Sequence, residues 1–186
     1  MLRSEAAIRA ALLARLAAGQ SFAELTVSGV AAQAGVTRKT FYARYGSLEQ
    51  VVERTVERVF SDIAERIEDR LLVLPLADDA LSTTLFRAYE AHQAVLAPLI
   101  RQCPTNLFIG PVRTVAGTVL QRAYAINGIA PIGEVEEAYL VATMASVVHA
   151  VLSVWIDRGF TETPEQVAGF VHGLLADGLQ RLVMAT

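Results

Sequence analysis

From Ser47 to Pro75 the apolar residues return every three or four positions: Val51, Val52, Val56, Val59, Phe60, Ile63, Ile67 and Leu71. That period puts one apolar stripe on a helix and leaves no alternating pattern for a strand. Ser47-Leu48-Glu49-Gln50 reads as a capping box at its start, and Pro75 closes it. The same reasoning covers the rest of the chain. Ser4 is expected to cap a helix carrying Ile8, Ala11, Leu12 and Leu16 that stops at Gly19. Thr26 caps a short helix with Val27, Val30 and Ala31, ending at Gly35. Thr37 caps another from Arg38 to about Tyr45, which Gly46 ends. Further helices are predicted over 79–102, 110–127, 134–158 and 164–184, with prolines 104, 111, 131 and 164 between them or at their starts. The expected fold is all-α: a three-helix unit over 1–46 and a helical body over 47–186.

A chain of 186 residues that is 53% hydrophobic and 19% charged has enough apolar surface for a packed core. Cys103 is the single cysteine, which excludes an intrachain disulfide and a cysteine metal cluster. The first residues lack the apolar block of a signal peptide, and a reduced, cytoplasmic setting is expected. Tyr139 to Ile156 holds 18 residues without Asp, Glu, Lys or Arg. With no second such run, it reads as a helix buried in a soluble assembly rather than a membrane span. Charge is divided unevenly. Residues 1–50 hold six cations and three acids, and the remainder holds ten cations and sixteen acids. A basic head on an acidic body is what a protein needs if only its head meets a polyanion.

The basic stretch is Ala34-Gly-Val-Thr-Arg-Lys-Thr-Phe-Tyr-Ala-Arg-Tyr-Gly-Ser47. Two short helices about a glycine turn make a helix-turn-helix. Val30, Ala31 and Phe41 fall on inner faces, Val36 plugs the turn, and Gly35 can take a left-handed backbone without Cβ strain. Arg38, Lys39, Tyr42 and Arg44 are left on outer faces. A helix fits the major groove of B-DNA, where an Arg38 guanidinium suits guanine O6 and N7. Lys39 reaches a base or a phosphate, Thr40 a phosphate or a thymine methyl, and Tyr42 a phosphate. Caps at Thr37 and Ser47 leave helix N-termini that favour phosphate oxygens.

The pattern Phe22-x-x-Leu25-Thr26-Val27, Val30-Ala31-x-x-Ala34-Gly35-Val36-Thr37, Thr40-Phe41-Tyr42-x-x-Tyr45-x-Ser47 resembles the N-terminal domain of the tetracycline-repressor (TetR) family. The resemblance covers residues 5 to 55 and implies a bacterial, homodimeric transcriptional regulator, usually a repressor. Its C-terminal domain would bind a small-molecule inducer and move the two DNA heads out of register. It implies phosphate contacts by Thr37, Tyr42 and the Ser47 cap, and DNA reading by Arg38, Lys39, Thr40 and Arg44. Thr26 and Ser28, at the start of the preceding helix, complete the expected DNA-binding set. One position departs from the pattern: Leu48 stands where the family usually places a phosphate-contacting lysine, and Glu49 follows it.

In the body, the uncharged helix and the last helix are expected to form a dimer interface through Ala142, Ala145, His149, Leu152, Gly169 and Gly173, with Gly178 beyond them. Glycine inside a helix costs about 1 kcal/mol against alanine, so several in one helix suggest close backbone approach. Two helices from each subunit would make a four-helix bundle about a two-fold axis. A ligand pocket is expected among Phe86, Tyr89, His92, Phe108, Tyr124, Met144 and Trp155, with Pro98 leaving the carbonyl of Ala94 unpaired. No phosphate loop, His-Glu metal motif or serine elbow is present, so neither an enzyme nor a cofactor is expected. The competing reading is a helical small-molecule-binding dimer whose DNA head is weak or non-functional.

Overall fold

The computed structural model describes residues 2–76 and 78–173. It is all-α, and no strand occurs among the described residues. The head comprises α1 (Leu2–Ala17), α2 (Val27–Gln33) and α3 (Arg38–Tyr42). The body follows as α4 (Leu48–Glu65), α5 (Ala80–Ala91), α6 (Gln93–Gln102), α7 (Asn106–Asn127) and α8 (Glu134–Asp157). A ninth helix, α9, begins at 164 and is described through 173. The remainder of the expected last helix, with Gly178, lies outside the described residues.

One apolar core runs from head to body. Ile8, Leu12 and Leu16 of α1, Val30 of α2, Phe41 of α3 and Val51, Val52 and Val56 of α4 are buried in it together. The same cluster continues through Phe60, Phe86, Leu96, Phe108 and Trp155. Helix α4 therefore starts at the expected boundary between 1–46 and 47–186 and serves both sides. Its first turns complete the head, and its later turns pack along α7. Helix α1 also lies against α6, a second mechanical link between head and body.

The caps form where local chemistry calls for them. The hydroxyls of Thr26, Thr37 and Ser47 accept from the backbone N–H groups of Gly29, Thr40 and Gln50 at 3.1, 3.1 and 3.3 Å. Gln50 reaches back one residue further than a capping box would, accepting from the N–H of Gly46 at 2.9 Å. Gly35 closes the turn at φ +65. Ser4 does not cap α1, because the helix begins at Leu2. Its hydroxyl instead accepts from Arg44 Nε at 3.3 Å.

The helix expected over 79–102 is two helices. The break falls at His92, well before Pro98. The His92 ring Nδ1 lies 2.8 Å from the carbonyl of Ala88, and its backbone N–H bonds the carbonyls of Ala88 and Tyr89, closing α5. Pro98 sits inside α6, which continues through it to Gln102.

The C-terminus of α4 is held from outside. Arg122 of α7 donates to the carbonyls of Ala64 and Ile67 at 3.3 and 2.6 Å and pairs with Asp69. A cation that satisfies terminal carbonyls opposes the helix dipole and the loss of hydrogen bonds at once. Arg122→Ala is expected to cost about 1–3 kcal/mol, seen as a lower urea midpoint, since it strips charged donors from partly buried carbonyls.

Helix α8 is the one helix among the described residues that is long and apolar enough to cross a membrane. Its inner side buries Leu140, Val141, Ala145, Leu152, Trp155 and Ile156 within the chain.

Candidate nucleic-acid interface

The surface of the head is built from helix starts. Thr26 and Ser28 stand exposed at the start of α2, and Thr37, Arg38 and Lys39 stand exposed at the start of α3. Thr37 and Thr40 join their hydroxyls at 3.0 Å, which fixes the cap and half-buries Thr40. Phe41 points inward and is fully buried, while Tyr42, 50% exposed, sets its ring at right angles to it at 5.6 Å. The outward residues of α3 are therefore aimed by an inward anchor on the same short helix.

Arg38 and Lys39 make no hydrogen bond or ion pair with the described residues, and no acidic side chain occurs between Glu24 and Glu49. Their charge is left for an outside partner. Arg44 differs. It is half-buried, its Nε is engaged by Ser4, and its carbonyl accepts from Arg54 Nη1 at 3.2 Å. It ties α1, α3 and α4 together while its remaining nitrogens stay available. Neither Ser4 nor Arg54 stood out in the sequence as part of this arrangement, because the contacts depend on how α1 and α4 cross α3. Ser47 is half-buried at the start of α4, and Leu48 is buried in the head core.

The residues expected to line a pocket fall into two groups. Phe108, Phe60, Tyr89, Phe86 and Trp155 pack ring on ring in that order, with successive centroids 5.3 to 5.8 Å apart. Trp155 Nε1 donates to the carbonyl of Glu162 at 2.9 Å. Burial raises the Tyr89 phenol above its ordinary pKa. Tyr124 and Met144 belong to a separate cluster with Leu120, Ile132 and Leu140. His92, already engaged at the end of α5, is half-buried. Burial pushes the Cys103 thiol up to about 12, so it is a thiol and not a thiolate at neutral pH.

Of the residues expected at the interface, Ala145 and Leu152 are buried within the chain itself, at 0% and 1% exposure. His149 sets its ring against Phe108 of the same chain at 5.2 Å. Ala142 is half-buried, and Gly169 and Gly173 are exposed. The outward face of α8 instead carries Val135, Tyr139 and Val154, 60% to 74% exposed, and α9 adds Phe170 at 65%.

A helix-turn-helix with free cations at the start of its second helix, mounted on a helical body, defines a DNA-binding regulator. Residues 8–55 match the family model for bacterial regulatory proteins of the tetR family. The whole fold is similar to that of the dihydroxyacetone kinase operon activator DhaS, with a TM-score of 0.58 and 14% identity over 98% of this chain and 99% of that one. It is also similar to a tetR-family transcriptional regulator from Streptomyces coelicolor, with a TM-score of 0.60 and 16% identity over 97% of this chain and 83% of that one. No curated protein matches the chain in sequence.

Proposed function

We propose that the chain is a cytoplasmic bacterial repressor that binds a palindromic operator as a homodimer and is released by a small molecule taken up in its body. The observation that carries the DNA reading is the pair Arg38 and Lys39, exposed and without an ion pair among the described residues, at the N-terminus of a helix whose other face is locked by Phe41. Residues 1–46 act as the reading head and 47–186 as the ligand and dimer body. Arg38 and Lys39 read bases with Thr40 and Arg44. Thr26, Ser28, Thr37, Tyr42 and the cap at Ser47 hold the phosphate backbone. Selection of bound DNA from a random pool tests this directly and should return an inverted repeat. Arg38→Ala is expected to relax one position in each half-site at a cost of about 1–3 kcal/mol. Equal weakening on every sequence would count against base reading.

Two features support the dimer. Helix α8 exposes the apolar side chains Tyr139 and Val154 and α9 exposes Phe170, and none of the three is covered among the described residues. A Cβ at Gly173 would meet nothing within 4 Å among the described residues, so this chain's own packing does not call for glycine there. A partner helix pressed against α9 would. Covering those side chains also accounts for the apolar length of α8 without a bilayer. The aromatic body core, linked to the head through α4 and the α1–α6 contact, is the proposed route from inducer to DNA.

Leu48 favours the second reading, a ligand-binding dimer with a weak head, because it buries a side chain where the family usually offers a cation. A salt titration separates the two. A working head loses affinity steeply as salt rises, whereas a weak head shows no saturable binding to the selected DNA. One structural relative is named as an activator, so a reporter gene placed under the selected site decides the sign of regulation. Expression that rises when the protein is absent supports repression.

A further inference from the structure

Between α1 and α4, on the body side of Tyr45, lies an open cleft of about 300 Å³ whose walls carry Arg9, Arg54 and Arg58 with the hydroxyls of Tyr45 and Ser61. Arg9 and Arg58 make no hydrogen bond or ion pair with the described residues. Glu5 and Glu57 share the cleft, yet neither closes an ion pair with any of the three arginines. Arg54 stacks over the Tyr45 ring at 5.3 Å and spends one nitrogen on the carbonyl of Arg44. The Tyr45 phenol is pushed up by burial and by Glu5, against the pull of Arg9, Arg54 and Arg58, so these charges converge on one point.

We propose that this cleft binds a small phosphate-bearing dianion, held between Arg9 of α1 and Arg54 and Arg58 of α4. Guanidinium forks match phosphate oxygens in pairs, and the two hydroxyls supply neutral donors beside them. The net charge of the five ionised side chains lining the cleft is positive, and the volume suits a small metabolite rather than a polymer. The DNA backbone is the other source of phosphate in reach of the head. Arg58, however, lies about 15 Å along α4 from its N-terminus at the 1.5 Å rise of a helix. That is beyond the phosphates which the start of α4 would meet. A dianion here would clasp α1 to α4, whose side chains share the head core with Phe41 of α3. The site stands apart from any inducer in the body.

The test is calorimetric titration of the full chain with inorganic phosphate against chloride at matched ionic strength. One saturable site per chain is expected. Arg58→Gln and Arg9→Gln should each weaken phosphate at least about tenfold. Both should leave the circular dichroism spectrum and urea midpoint in place, since neither side chain makes a hydrogen bond or ion pair with the described residues. Absence of saturable phosphate binding above chloride overturns the proposal, and so does binding that neither substitution alters. The DNA source is examined with the selected duplex. If Arg58→Gln lowers the salt slope of DNA binding by about one while free phosphate fails to bind, the cleft meets backbone phosphate and the small-molecule assignment falls.

Discussion

Phe41→Ala is expected to unfold the head. Phe41 is fully buried at the meeting of α1, α2, α3 and α4, with Tyr42 and Tyr45 rings at 5.6 and 6.2 Å. Deleting a buried phenyl group removes its transfer free energy and leaves a cavity, together about 3–5 kcal/mol. That is a large share of the roughly 5–15 kcal/mol that holds a domain folded. Five residues of α3 have no helical stability of their own, so the loss of their anchor frees Arg38 and Lys39 from any fixed direction. Urea denaturation followed by circular dichroism should show the loss, and DNA binding should vanish with it. A cost under about 1 kcal/mol would mean that the site collapses around the missing ring and that α3 is held by something else.

The double substitution Val154→Asp with Phe170→Asp is expected to split the proposed dimer and leave each chain folded. Both side chains are more than half exposed in the single chain, and surface changes of this kind usually move stability by about 0.5 kcal/mol or less. In a dimer the same carboxylates would be buried against an apolar partner without counter-charges, which costs several kcal/mol. Separate heads then bind half-sites independently. Losing the effective concentration that links them should lower operator affinity by about 10²–10⁴-fold. Sedimentation velocity and DNA titration read the two effects side by side. A variant that still sediments as the parent chain and still holds its operator would rule out this face as the interface.

The two substitutions bracket how differently head and body disclose themselves. In the head the outward side of α3 could be read in advance, because a cap, a glycine turn and one inward phenylalanine leave the cations a single direction. In the body the exposed face of α8 could not. Valine, alanine and leucine occur on every side of that helix, so periodicity names no inner face, and Ala145 and Leu152 proved to belong to the subunit's own core. The expected pocket wall divided for a related reason: ring type and helical spacing do not tell which neighbouring helix a ring will meet. The break falls at His92, where a ring nitrogen lies against the carbonyl of the preceding turn, and it has no signature beyond one histidine.

Local chemistry, then, was enough for the all-α class, the start of α2, α3 and α4 at Thr26, Thr37 and Ser47, and the outward-facing cations of α3. Each depends on residues within one turn of one another, and hydrogen-bond reach and the 3.6-residue period act at that range. Tertiary structure alone decided that α4 completes the head core, that Arg122 holds its far end, that Tyr139, Val154 and Phe170 are left exposed, and that Arg9 meets Arg54 and Arg58 across a cleft. Those groupings join side chains distant in sequence, and only the packing of whole helices against one another determines which of them become neighbours.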